Sequence, residues 1–364
     1  MTTDTKSPSE RIEYIDALRG LTMILVVFCH IEMTTFGFND PGFTNIGSFF
    51  ISFHLPLFFY ISGLNAYKAN IQWNVHTLLT STYKKAFALI IPAFFFGIIY
   101  TYVLLDKNIY DFLAHNAKHG YWFTIALFEI FLIVYTTNAC LFNNDSKIYK
   151  RRMTIALIAI SGFLFLIKIP IKMHPTLNNI GNVLTLHHSF NYFQYFAFGY
   201  ICAMYKEQFN KILRNRLFSV AIIIFFAALF YIKRFHTSTL ISGSMDVWRV
   251  LDIFLEMIIG YLGTLAVFNI FRTNHKLFTA KKKIGKAIQT IGKRTLDIYL
   301  LHYFLIFIDI HQIGDMLLKK DSAILELTIG LTTTLIVIGL CLIISRILRT
   351  SPLMAKWLFG AKSK

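Results

Sequence analysis

YIDALRGLTMILVVFCHIEM, residues 14–33, is a largely apolar run interrupted by Asp16, Arg19, His30 and Glu32. At about 1.5 Å per residue such a run crosses the roughly 30 Å hydrocarbon core of a bilayer. Runs of similar length recur near 46–67, 86–105, 121–142, 152–170, 185–204, 216–233, 248–271, 295–312 and 323–346, which makes ten. The chain as a whole is 55% hydrophobic and 16% aromatic, too apolar for a soluble domain, whose charged surface dilutes its core. In lipid every backbone polar group must be satisfied internally, and these runs are too long for barrel strands. The expected fold is therefore all-α: a polytopic membrane helical bundle of about ten transmembrane helices. One domain is expected over 14–350, between a polar tail at 1–13 and a second tail at 351–364, with no soluble domain appended.

Charge sets the orientation. The net charge is +17, and with the N-terminus inside, 26 basic residues fall on cytoplasmic segments against nine on the other side, with Arg19 inside the first span. That bias predicts both termini in the cytoplasm and accounts for the basic composition by topology rather than by a nucleic-acid partner. The first span lacks a small-x-small cleavage site and reads as a retained anchor. Cys29, Cys140, Cys202 and Cys341 all fall in spans without metal-ligand spacing, so they are expected as packing residues, with no metal site. Residues 272–294 mix basic side chains with Leu277, Phe278, Ile284, Ile288 and Ile291 at near-helical spacing. This reads as an interfacial amphipathic helix that either anchors to anionic lipid or walls a phosphate site.

Ionisable side chains inside a bilayer are costly, which makes each a candidate for function or for helix-to-helix pairing. Arg19 and His30 are eleven residues apart, about 1100° of helical rotation, and so share one face about 16 Å apart along the axis. Such a face suits an anion at one end and proton chemistry at the other; a histidine bonded to a neighbouring helix is the alternative. In FHLPLFFYISG, 53–63, Pro56 breaks the helical ladder beside His54, which then either caps the kinked turn or contacts a substrate. Thr295, Tyr299 and His302 fall on one helical face. Glu129, Asp252 and Glu256 are further acidic residues within spans, and Arg249, Asp252 and Glu256 share a face suited to an ion-pair network. Glu32 is too close in sequence to His30 to face it from the same helix.

These residues resemble membrane-bound acyltransferase family 3, which modifies cell-surface polysaccharides and other glycans, and the resemblance spans nearly the whole chain. The family's Arg, ten residues, His signature is matched by Arg19 and His30, and its second-helix pattern by residues 53–63. Its late Gly-x-x-Thr-Leu-x-Ile-Tyr-Leu-Leu-His pattern is matched by Gly292, Thr295, Leu296, Ile298, Tyr299, Leu300, Leu301 and His302. FNYFQYFAFGY at 190–200 and YWF at 121–123 are similar to its aromatic motifs, and the N-terminal segment is most like the fucose O-acetylase-related branch. One departure is that Lys84 and Lys85 stand where many members carry paired arginines, and lysines bind phosphate as point charges without the bidentate fork.

The resemblance implies acetyl-CoA as acyl donor and a sugar or polysaccharide acceptor, in the cytoplasmic membrane of a bacterium. Arg19, Lys84, Lys85, Tyr299 and His302 are then candidates for donor binding, His30 with Glu129 for catalysis, and His54, Asp252 and Glu256 for the acceptor. His30 would act as a general base or carry the acetyl group itself. Counted from the span edges, His30 lies about 20 Å from the inner boundary and His302 about 10 Å, so the two need not touch the same atom. The acceptor then meets the acyl group either from the outer face or from the cytoplasm. A transporter or flippase for a glycan or small anion is the rival reading, although no paired broken helices occur in two halves. A purely structural subunit would leave the intramembrane charges without a role, and a succinyl donor would keep the family and change the pocket.

Overall fold

The computed structural model describes residues 12–38, 44–240, 245–308, 310–320 and 322–360, with the side chains of 169 and 236–250 excepted. The basic residues Lys6, Arg11, Lys362 and Lys364 and the Arg249 side chain lie outside this description. The described chain is helical, in the order α1 Glu13–His30, α2 Asn45–Ile51, α3 His54–Ala66, α4 Val75–Val103, α5 Ile109–Ala114, α6 Trp122–Leu141, α7 Ser146–Met173, α8 Pro175–Val183 and α9 Leu186–Met204. There follow α10 Lys206–Arg214, α11 Arg216–Leu240, α12 Met245–Thr273, α13 Lys283–Lys293, α14 Thr295–Leu301, α15 His311–Lys320, α16 Ala323–Leu348 and α17 Pro352–Phe359. A π-helical turn, Ile31–Thr35, extends α1.

Eight of these segments are long and apolar enough to cross a membrane, against ten expected. Two expected spans depart from the pattern. Residues 186–204 form an uninterrupted helix, but His187, His188, Asn191 and Gln194 make it less apolar. Residues 295–312 are not one helix: α14 gives way after Leu301 to a 3-10 turn, His302–Phe304. The second span is broken as expected, but at Ser52–Phe53 rather than at Pro56. His54 opens α3, so Pro56 sits in a first turn where a missing N–H costs nothing.

The centre is built around α1. In its most apolar stretch 67% of the residues are buried, against 12% for α7 and 11% for α11, whose apolar side chains face outward. A helix apolar on all sides belongs inside a bundle. Small residues bring the backbones together: a Cβ on Gly63 would lie 2.0 Å from the Phe196 carbonyl oxygen, and one on Gly199 2.0 Å from that of Tyr60. These reciprocal contacts join α3 to α9, as glycines do wherever helices pack without a hydrophobic drive between them. Likewise a Cβ on Gly20 would sit 2.1 Å from the Ile288 carbonyl oxygen, and one on Gly292 1.8 Å from that of Asp16, so α13 crosses directly against α1.

Within 272–294 the expected amphipathic helix forms over Lys283–Lys293 only, residues 272–273 ending α12 and 275–278 making a 3-10 turn. Gly285, Gln289, Ile291 and Gly292 are buried, and only the opposite side, with Lys281, Lys282, Lys283, Ile284 and Lys286, is exposed. Of the four cysteines, Cys29, Cys202 and Cys341 are buried as expected, whereas Cys140 is exposed.

Candidate active site

Arg19, Met23, Val26 and His30 recur at helical spacing on α1 and line a cavity of about 290 Å3. The opposite walls come from His54, Phe58 and Ser62 on α3, Lys85 on α4, the first turn of α6, and Thr295, Tyr299 and Tyr303 at α14 and its exit. The stripe foreseen between Arg19 and His30 thus becomes one side of a chamber, with cations toward one end and imidazoles toward the other.

At the imidazole end the hydrogen bonds fix the proton positions. His302 Nδ1 lies 3.0 Å from the Ile298 carbonyl oxygen, which can only accept. Neutral His302 therefore carries its proton on Nδ1 and offers Nε2 as an acceptor. Its partner 2.9 Å away is His30 Nδ1, which must donate. His30 Nε2 is left with its lone pair, and the Tyr303 hydroxyl, 3.2 Å away, donates to it. A backbone carbonyl thereby sets, through two rings, a basic nitrogen in the wall of a cavity. His54 is oriented in the same manner, its Nδ1 2.8 Å from the Phe50 carbonyl oxygen, so capping and a place in the cavity wall are combined in one ring.

The contact between His30 and His302 overturns the depth estimate that kept them apart. That estimate took residue 295 to stand at the membrane edge. Instead α13 and α14 fold against α1 through Gly20 and Gly292, and Arg19 donates to the Thr295 hydroxyl at 3.0 Å, well along α1. His302 is consequently fully buried behind His30 and, unlike the donor-binding position expected for it, does not line the cavity.

At the cationic end Arg19 and Lys85 both line the cavity, and the Lys85 ammonium lies 3.8 Å from the centre of the Phe131 ring. Lys84, one residue earlier, is exposed and is not among the lining residues. The Tyr299 hydroxyl donates to the Gly120 carbonyl oxygen at 2.8 Å and accepts from the Phe123 amide at 3.1 Å. It caps the start of α6, and Tyr299 lines the cavity.

Glu129, Asp252 and Glu256 are not among the lining residues. Glu129, expected to act with His30, accepts instead from the Thr185 hydroxyl at 3.2 Å and from the Ser189 hydroxyl, and the residue bonded to His30 Nδ1 is His302. Asp252 and Glu256 each lie 3.6 Å from Lys233 on the neighbouring α11. An ion-pair network is thus present, but its cation is Lys233 from α11; the network expected with Arg249 rests on a side chain outside the described residues, and Glu256 is exposed.

The wall beside Tyr303 is built from strained backbone. Lys118, His119 and Gly120 have φ of 47°, 49° and 103°, a left-handed run costly for the two residues with a Cβ. A Cβ on Gly120 would lie 2.1 Å from the Tyr303 ring, so the close approach requires glycine. The Lys118 ammonium holds the segment by donating to the carbonyl oxygens of Leu113 at 2.5 Å, Asn182 at 2.6 Å and His115 at 3.1 Å. Burial pushes this amine down to about 8, against the pull of the Glu129 carboxylate.

Three residues of this arrangement were not singled out from sequence. Tyr303 follows His302 directly and was open to notice. Asp297, 2% exposed, takes both Nε and Nη2 of Arg349 at 2.7 Å and the Ser345 hydroxyl at 2.5 Å, which ties α14 to α16. It is an acidic residue in an expected span, so the rule that drew attention to Asp252 applied to it equally. Thr124 lines the cavity at the start of α6 and carried no sequence signal.

A family model described as an acyltransferase domain, that of acyltransferase family 3, matches residues 12–346, the stretch holding every cavity residue named above. No curated protein and no solved structure matches the chain. With that match covering most of its length, and Arg19, His30 and the residues from Thr295 to His302 gathered around one cavity, the chain belongs to the membrane acyltransferases of family 3.

Proposed function

We propose that the protein transfers an acetyl group from acetyl-CoA to a sugar hydroxyl of a cell-surface polysaccharide or its lipid-linked precursor, at a bacterial cytoplasmic membrane with both termini in the cytoplasm. The observation that carries this reading is the proton chain from the Ile298 carbonyl through His302 to His30, which leaves His30 Nε2 as a base inside the cavity. Arg19 stands about 16 Å back along α1, by the rise from residue 19 to 30, and with Lys85 in the same cavity it suits the phosphates of a CoA. The pantetheine arm is of the length to bridge that interval, with its thioester beside the imidazole.

In this reading His30 Nε2 takes the proton of the acceptor hydroxyl as its oxygen attacks the thioester carbon. Tyr303 gives up its hydrogen bond to Nε2 as the acceptor arrives, and His302 holds the ring in place while it carries the charge. The same proton then returns to the departing thiolate, so the step is balanced with acetyl ester and free CoA as products. A carrier function has no support in the family match, which is to acyltransferases.

The test is transfer of label from acetyl-CoA, by purified protein in liposomes, to a panel of glycans and lipid-linked sugars. Labelled ester on an acceptor, with no label on histidine in acid-quenched protein, is the expected result. Folded protein that neither binds nor consumes acetyl-CoA would sink the donor assignment, and label retained on histidine would replace direct transfer by an acyl-histidine route.

A further inference from the structure

Many threonines inside the helices of this protein return their hydroxyl to the carbonyl one turn earlier: Thr22 to Leu18 at 2.8 Å, Thr101 to Gly97 at 2.8 Å, Thr334 to Gly330 at 2.7 Å; Thr82 and Thr264 do not, but neither lines the cavity. Nor does Thr124 return its hydroxyl. It occupies the first turn of the twenty-residue α6, so the carbonyl four residues back belongs to Gly120. That carbonyl lies in the left-handed segment and already accepts from Tyr299. Thr124 is 1% exposed and lines the cavity; its hydroxyl makes no well-formed hydrogen bond, the Tyr299 hydroxyl beside it being already engaged with Gly120 and Phe123. Among the described residues it is the one buried side chain in the cavity wall with a polar atom lacking such a bond. Buried hydroxyls are ordinarily paired, and leaving one unpaired works against the fold.

We propose that the Thr124 hydroxyl donates to the carbonyl oxygen of the acyl group and stabilises the negative charge that develops there during transfer. The inference rests on the acyl-transfer reading above. As the acceptor oxygen bonds to the carbonyl carbon, its proton passes to His30 Nε2 and the carbonyl π pair moves onto oxygen. Thr124 and the positive end of the α6 dipole meet that charge. When the carbon–sulfur bond breaks, its electron pair leaves with sulfur, which takes the proton back from His30. The Tyr303 hydroxyl, released from His30 Nε2 by the acceptor, is a second donor in the same wall. A well-formed hydrogen bond from Thr124 then comes with substrate, at a cavity-lining hydroxyl that lacks one in the resting fold.

The experiment compares wild type, Thr124→Val and Thr124→Ser in liposomes for kcat, for KM toward acetyl-CoA and for thermal unfolding. Thr124→Val keeps the side-chain shape without the donor. Its kcat is expected to fall about 100-fold, the scale of losing one oxyanion donor, with KM little changed and the unfolding temperature equal to or above that of wild type. Thr124→Ser restores the hydroxyl and is expected to recover most of the rate. A Thr124→Val protein with wild-type kcat overturns the assignment. So does a lost rate that accompanies a lowered unfolding temperature, or a serine variant as slow as the valine. Wild-type protein inert toward acetyl-CoA would instead remove the acyl-transfer reading itself, a result separable from failure of Thr124 alone.

Discussion

Helices α1 and α14 and helices α11 and α12 both place ionisable side chains in apolar sequence, yet the structure uses them in opposite ways. Around α14, His30 and His302 meet where it packs against α1 and Asp297 where it packs against α16, and each has a directional partner: an imidazole, a backbone carbonyl, a guanidinium. Between α11 and α12, Lys233 meets Asp252 and Glu256 at 3.6 Å with the Glu256 side chain 67% exposed. What separates the two is the surrounding packing. Gly20 and Gly292 let backbones touch at the first site, which closes a chamber around the polar groups, while the second lies on the flank of the bundle. An intramembrane charge therefore becomes a candidate for chemistry when a cavity collects it, and its presence in an apolar run is not enough.

The largest effect that sharpens this contrast concerns two aspartates. Asp297→Ala removes a buried carboxylate and leaves the half-buried Arg349 and the Ser345 hydroxyl without it, which is expected to cost about 3 kcal/mol of stability, and transfer activity is expected to fall with it because α14 carries Thr295 and Tyr299. Asp252→Ala, by the same thermal measurement, is expected to cost no more than about 1 kcal/mol and to leave turnover at the wild-type rate. Equal losses at both positions would break the comparison.

Next comes the support behind the imidazole. His302→Phe removes the acceptor of the His30 Nδ1 proton, and kcat is expected to fall about 100-fold, the lower part of the general-base range, with KM for acetyl-CoA held. His302→Gln, whose side-chain oxygen can accept, is expected to lie between. A His302→Phe protein of wild-type kcat would detach His302 from the reaction.

The paired lysines permit a finer test. Lys85→Met is expected to raise KM for acetyl-CoA about tenfold, the scale of one charge-assisted contact, while Lys84→Met, altered at an exposed side chain, is expected to leave it unchanged. The reverse ranking would move the phosphate site out of the cavity.

The smallest effect is on pH dependence. Lys118 titrates in the folded protein near 8 rather than at its ordinary 10.5, so burial of the charged form is a penalty fully present below about pH 8. As pH rises from there toward 10.5 the folded state sheds a proton that the unfolded chain retains, and the penalty is relieved. The stability of wild type relative to Lys118→Met is therefore expected to rise over that window, followed by unfolding temperature. A flat difference would mean that the three carbonyls hold the ammonium at its ordinary value.

Much of this was legible in the sequence where the relevant geometry is local. Arg19 and His30 share a face because eleven residues nearly complete whole helical turns, and the apolar runs declare a helical membrane bundle. The His30–His302 pair was not legible, since it joins residues 272 apart and depends on α13 and α14 folding against α1. Edge-counted depths assume straight helices that begin at the boundary. Pro56 announced a break in the second span but not its place, because a proline is tolerated in the first turn of the helix that follows. Thr124 was invisible for another reason: its significance lies in a carbonyl that the left-handed turn at Gly120 withholds, and no spacing rule registers a missing partner.

The central claim is that His30 Nε2 is the base for acyl transfer. It is tested most directly by single-turnover transfer of label from acetyl-CoA to acceptor, with wild type and His30→Ala reconstituted side by side and shown to unfold at matching temperatures. The account expects labelled acceptor from wild type and a rate lower by about 10³-fold or more from His30→Ala, with acetyl-CoA still bound through the cationic end. Transfer by folded His30→Ala at the wild-type rate would contradict it.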